Sequence, residues 1–173
     1  MNIFLIRHTS VDVPKGICYG QTDVPLNQSF ESEASVVKQK LSAVPFDAIF
    51  SSPLSRCTRL AEYCEYTDIQ LSDHLKELNF GDWEMQCWDE LDMSCWKTDW
   101  VSIPPPNGES FLQMNKRVAS FFENLKKKDY ENVAIFAHGG VFSCVKVYLG
   151  LTDIEHAFVL NAEYGEVWEF ELI

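Results

Sequence analysis

The residue types best suited to chemistry in this chain come in pairs: Arg7 with Arg56, and His8 with His138. A guanidinium presents a planar fork of donors that matches the oxygens of a phosphate. An imidazole titrates near neutrality, so one histidine can act as a neutral nucleophile while the other donates to an oxygen as the imidazolium. Gly139 and Gly140 follow His138 directly, and backbone N–H groups at the opening of a helix suit an anion. The set holds too many donors to suit a metal ion. It suits phosphoryl transfer, where positioning and charge stabilisation dominate.

These residues are far apart in the chain, so the fold must bring them together. Asn2-Ile3-Phe4-Leu5-Ile6 is a near-continuous apolar run, as expected of a strand buried on both faces, and it leads straight into Arg7-His8. Ala34, Val37 and Leu41 recur at helical spacing within a helix expected from Ser29 to Ala43. Asp47 to Phe50 reads as a second strand. Pro53 is expected in the first turn of a helix over Leu54–Tyr66, and Ile69 to Leu71 as a brief third strand. A helix is expected from Trp88 to Trp100, stopped by Pro104-Pro105-Pro106. The next helix starts at Asn107-Gly108-Glu109-Ser110 and runs to about Lys128. Asn132 to Ala137 is the clearest strand, with His138-Gly139-Gly140 at its end and a helix over Val141–Leu149 beyond. Glu166 to Leu172 alternates strictly and reads as a strand with one wet face near a sheet edge.

Strands alternating with helices predict an α/β fold, a three-layer αβα sandwich on a mostly parallel sheet. Ligands of such sheets bind at the carboxyl ends of the strands. Arg7-His8, the segment from Ser51 to Arg56, and His138-Gly139-Gly140 are all expected there.

The 173 residues fit one domain, 1–173, with 46% hydrophobic and 23% charged residues. A net charge of -12 argues against nucleic acid or an anionic membrane as partner. It also means that any anion site must be built from a few focused cations. No apolar run approaches the ~20 residues of a membrane helix. Met1 to Ile6 lacks the basic and long apolar regions of a signal peptide, so a cytoplasmic location is expected. The six cysteines form no Cys-x-x-Cys pair and no zinc-finger spacing. Cys57 and Cys64 fall on one helix face and read as core packing. His74 and His156 read as surface residues. The pattern carries no signal for oligomeric state.

Four segments resemble, in order, the motifs of the histidine phosphatase superfamily, with its phosphoglycerate mutase-like fold. They are Arg7-His8, Phe50-Ser51-Ser52-Pro53-Leu54-Ser55-Arg56-Cys57, Glu77-Leu78-Asn79-Phe80-Gly81-Asp82-Trp83-Glu84, and Ala137-His138-Gly139-Gly140-Val141. The stretch from Cys18 to Leu26 and the short length look most like the alpha-ribazole phosphatases of cobalamin synthesis. The resemblance implies that His8 is a nucleophile forming a phosphohistidine. It implies that Arg7, Arg56 and His138 hold the phosphoryl oxygens. Glu77 would be the general acid to the leaving alcohol and then the base for water. It implies no metal and no organic cofactor. The substrate it implies is a small-molecule phosphomonoester, foremost alpha-ribazole 5'-phosphate hydrolysed to alpha-ribazole. The alternatives are a broad-specificity sugar or nucleotide phosphatase, a phosphoglycerate mutase and, least favoured, a non-catalytic binding module.

The chain departs from the family at Thr9, where glycine is usual, at Val13-Pro14-Lys15, where an asparagine is common, and at Phe142-Ser143. Residues from about 80 to 107 form an insertion expected to cover the pocket. It carries Trp88, Trp96 and Trp100, which could stack on an aromatic leaving group or simply pack the lid. Trp83 and Trp168 read as packing residues, Arg59 as a helix-surface cation and Glu84 as structural.

Overall fold

A computed structural model describes residues 1–159 and 162–173. Along the chain these form β1 (Asn2–Arg7), α1 (Phe30–Leu41), β2 (Ala48–Ser51), α2 (Ser55–Tyr63) and β3 (Ile69–Leu71), then α3 (Ser94–Asp99), α4 (Phe111–Leu125), β4 (Asn132–Ala137), α5 (Gly139–Tyr148) and β5 (Val167–Glu171). The sheet order is β3-β2-β4-β1-β5, parallel except for β5, which runs antiparallel to β1 at the edge.

The unbroken apolar runs of β1 and β4 follow from burial on both faces. Strand side chains alternate between faces. Ile3, Leu5, Val133 and Ile135 meet Met114 and Phe122 of α4 and Phe142 of α5. Phe4, Ile6, Ala134 and Phe136 meet Val37 of α1 and Leu60 of α2. Phe122 and Phe136 are fully buried, and each such side chain contributes roughly 1.5–3 kcal/mol relative to exposure. Helices therefore cover both faces, the three-layer arrangement that the pattern predicts. In β5, Trp168 and Phe170 join the α4/α5 core while Glu169 and Glu171 are exposed, as the alternation at an edge requires.

Register places the chemistry. Arg7 pairs with Ala137 across β1–β4, and Ser51 with Phe136 across β2–β4. Two further bonds, His8 N–H to Ala137 O (3.1 Å) and Ser52 N–H to Phe136 O (2.9 Å), carry the alignment past the strand ends. His8, Ser52 and His138 thus leave the sheet side by side.

Three boundaries differ from expectation for local reasons. Pro53 lies before α2 rather than in its first turn. Leu54 is extended (ψ 137°), and the Ser52 hydroxyl accepts its N–H at 3.3 Å. This side-chain bond competes with helix and delays it. Asp23 then accepts from the Ser55 N–H and hydroxyl at 2.9 and 2.7 Å. The single helix expected from Trp88 to Trp100 is two pieces, a 3-10 turn over Trp88–Glu90 and α3. Leu91 is extended between them (ψ 136°), and Asp92 turns its carboxylate onto the Ser94 N–H at 3.1 Å. The helix expected from Asn107 begins at Phe111, because Asn107 is left-handed (φ 57°).

α4 opens on a reciprocal pair. The Ser110 hydroxyl accepts from the Gln113 N–H, and the Gln113 side chain accepts from the Ser110 N–H. Ser110→Ala should therefore lower stability by about 1 kcal/mol. Urea denaturation would show it as a lower midpoint with an unchanged slope.

Candidate active site

His8 is 2% exposed and His138 fully buried, with their rings 5.2 Å apart edge to face. His8 Nδ1 lies 2.7 Å from Thr9 O. A carbonyl can only accept, so Nδ1 carries the proton and Nε2 keeps its lone pair. Burial holds His8 well below the usual histidine range, and Arg56 and then Arg7 push it the same way. His8 is thus a neutral imidazole in the tautomer that a nucleophile at Nε2 requires.

His138 differs from expectation. Arg56 Nε donates to its Nδ1 at 3.3 Å, which leaves its Nε2–H to donate to Ser52 Oγ at 2.8 Å. Burial, Arg56 and His8 hold it well below the usual range. With both nitrogens engaged, the neutral imidazole is favoured in this site. Cys57, expected to be core packing, is buried as predicted but also lies 3.5 Å from His138 Nε2 and donates to Ala137 O at 3.3 Å. Burial pushes its thiol well up, so it packs against the histidine as a neutral group.

The arginines are the unusual feature. Arg56 is 0% exposed. It donates to Gly20 O at 2.5 Å, to Thr22 O at 3.0 Å and to His138, all uncharged acceptors. Arg7 donates to Ala162 O, while its Nε is buried with no protein partner. Neither guanidinium forms an ion pair among the described residues. A buried charge without an opposite charge is costly, and Arg56 is such a charge, with the half-buried Arg7 acting on the same His8.

Glu77 stands at the opposite lip. Its carboxylate accepts from the Leu78 N–H at 2.8 Å and the Gly140 N–H at 3.1 Å. The helix-opening N–H that the sequence reading offered to a substrate anion is therefore taken by Glu77. A Cβ at Gly140 would overlap this carboxylate and displace it. Glu84 proves structural, accepting from the N–H groups of Gln21, Thr22 and Phe80 at 2.8, 2.6 and 3.1 Å. It shapes the loop whose carbonyls hold Arg56.

Arg7, His8, Glu77 and Gly140 line one cavity of about 420 Å³, whose remaining wall includes Ile17, Tyr19, Leu78, Phe80, Trp88 and Phe158. Arg56 and His138 are not among the residues that line it. Of Trp88, Trp96 and Trp100, only Trp88 lines the cavity. Trp96 packs on Trp83 at 5.0 Å and donates to Ile103 O. Trp100 packs on Phe111 and Phe158 at 5.2 and 5.0 Å. His74 and His156 are exposed, as expected.

Two tyrosines escaped sequence reasoning. Tyr164 lies over the Arg7 guanidinium at 4.1 Å and Tyr19 over that of Arg56 at 5.6 Å, and their hydroxyls share a 2.7 Å hydrogen bond. Each ring faces one cation. No motif joins residues that lie 145 apart in sequence, and only the fold does so.

The sheet topology and this constellation define a phosphoryl-transfer enzyme of the phosphoglycerate mutase-like fold. The sequence profile of the histidine phosphatase superfamily (branch 1) matches residues 3–172, and the chain belongs to that family. Similar proteins include the adenosylcobalamin/alpha-ribazole phosphatase of Salmonella typhimurium, 31% identical over 154 residues that cover 83% of this chain and 76% of that protein. The alpha-ribazole phosphatase from Shigella flexneri has a similar structure, with a TM-score of 0.89 at 27% identity over 99% of this chain and 90% of that one. A phosphoglycerate mutase from Thermus thermophilus reaches 0.78 at 31% identity, covering 98% and 92%. The chain is a phosphoric monoester hydrolase.

The two neutral histidines make stability sensitive to acid. The unfolded chain protonates them below about pH 6.5 while the folded site resists. Their contribution is thus intact at pH 7 and is lost as pH falls through the unfolded value, where the unfolded state binds more protons. Urea denaturation should show a loss of roughly 2 kcal/mol between pH 7 and 5.5 for the pair. A His8→Asn, His138→Gln variant should flatten that drop.

Proposed function

We propose that this phosphatase works through a phosphohistidine at His8 and acts on alpha-ribazole 5'-phosphate, releasing alpha-ribazole. One observation carries the mechanism: two arginines without acid partners converge beside a neutral His8 whose Nε2 lone pair is free. A phosphate dianion would offset the buried positive charge. Arg7 would bind it through the unpartnered Nε, and Arg56 and His138 through donors exchanged from their present partners.

Nε2 attacks phosphorus, the P–O ester bond breaks, and protonated Glu77 gives its proton to the departing alkoxide. Water then attacks the phosphohistidine. Glu77 takes a proton from it, the N–P bond breaks, and inorganic phosphate leaves with His8 restored. Labelled phosphate should be trapped on the wild type and not on His8→Ala, whose turnover should fall to background with the fold retained. Wild-type turnover in that variant would overturn the mechanism.

The cavity wall supports the substrate. Beyond the phosphate end it is apolar and aromatic, and among the described residues Arg7 is the one cation that lines the cavity. A second anionic group, such as the carboxylate of phosphoglycerate, finds no cationic partner there. A flat aromatic base finds Trp88, which itself packs on Phe80 at 5.2 Å. Residues 80–107 would serve as a lid with Trp88 as its contact. Cytoplasmic operation fits the six free thiols.

Ranking alpha-ribazole phosphate, a sugar phosphate, a nucleotide and 3-phosphoglycerate by kcat/KM tests this reading, with alpha-ribazole phosphate expected first. Trp88→Ala should then cost roughly tenfold more on the aromatic ester than on the sugar phosphate, the scale of one base–aromatic stack. Trp96→Ala and Trp100→Ala should lower stability without changing that ratio. An equal loss on both esters in Trp88→Ala would remove the stacking argument.

A further inference from the structure

Glu77 is held by a residue pair that the mechanism does not use. The segment from Lys76 to Phe80 has no regular secondary structure, so no backbone ladder fixes it, although Leu78 within it packs into the core. Arg117, on α4, takes over that task. Its Nη1 donates to His74 O at 2.7 Å and Lys76 O at 2.8 Å, and its Nη2 to Glu77 O at 3.0 Å. The same guanidinium forms a two-point ion pair with Glu109, at 3.0 and 2.6 Å, with both side chains under one-fifth exposed. Glu109 in turn accepts the Asn79 N–H at 3.0 Å. Gln21 adds a bond from its amide to Glu77 O at 3.0 Å.

The main chain is therefore pinned on both sides of Glu77, and its carboxylate bonds only backbone, at Leu78 and Gly140. Where that backbone sits decides where the carboxylate sits. A flexible segment here would let the carboxylate drift from the leaving oxygen, and proton transfer requires hydrogen-bond reach.

We propose that Glu109 and Arg117 are positioning residues that aim Glu77 at the leaving-group oxygen. The inference rests on the general-acid role proposed for Glu77 and adds what sets its geometry. Neither residue is among those that line the cavity, so the effect of the pair should scale with how much the leaving group needs a proton. p-Nitrophenolate leaves without one; an alkoxide does not.

The test is the rate of the first turnover in Arg117→Lys and Glu109→Gln, which isolates ester cleavage from the later attack of water. Lysine keeps the charge without the planar fork, and glutamine keeps an acceptor for Asn79 without the charge. An alkyl phosphate such as ribose 5-phosphate should lose about 10²-fold, the low end of general-acid contributions. p-Nitrophenyl phosphate should lose far less. Glu77→Gln, run in parallel, should show the same preference more strongly. If Glu77→Gln slows both esters equally, the proposed role of Glu77 is wrong. If Glu77→Gln discriminates and the pair variants do not, or slow both esters alike, only this inference is overturned. Where one variant folds poorly by circular dichroism the other carries the comparison. Failure of both to fold would mark the pair as purely structural and overturn the inference as well.

Discussion

Arg56 carries a full positive charge in a place that water does not reach, and much of the surrounding loop structure exists to make that tolerable. Gly20 and Thr22 supply carbonyl oxygens. Their loop is folded into place by Glu84, which collects three N–H groups, and by Asp23, which anchors it to the start of α2. Tyr19 lays its ring near the same cation. All these partners are dipoles or quadrupoles. The groups that bond Arg56 directly, Gly20 O, Thr22 O and His138, carry no opposite charge. A carboxylate at the same spot would satisfy the arginine and abolish the site.

That constraint propagates to the histidines. Two guanidiniums and burial both disfavour a third positive charge, and so His8 and His138 stay neutral. For His8 this is the reactive form. For His138 it means that its link to Arg56 and Ser52 sets its tautomer.

The sheet and most of its flanking helices were legible because β1 and β4 are apolar at every position between polar ends, and α1 and α4 show clear helical spacing. Strand-end rules then carried Arg7, His8 and His138 to one place. Side-chain competition for backbone groups was not legible. Asp92 broke the Trp88–Trp100 helix, Ser52 delayed α2, and Glu77 claimed the Gly140 N–H. Each is a single side-chain bond that periodicity does not register. The Tyr19–Tyr164 contact had no signal at all. Arg117 had a faint one: it borders the apolar stripe Met114, Val118, Phe121 of α4, where a half-buried cation must find acceptors.

The cavity divides its work in a way that explains how one fold serves different esters. The phosphate end is set by the ends of β1, β2 and β4, whose register can hardly change without disturbing both cores. The far wall is set by Ile17, Tyr19, Trp88 and Phe158 from irregular segments, where a substitution alters the leaving-group surface and little else. Glu77 sits at the boundary and must serve both ends. It therefore needs a fixed address that neither the sheet nor the variable wall supplies. A helix-borne guanidinium that gathers three carbonyls meets that need, since it is rigid, permanently charged and outside the cavity lining. A mutase and a phosphatase at similar identity to this chain are what such a division of labour permits.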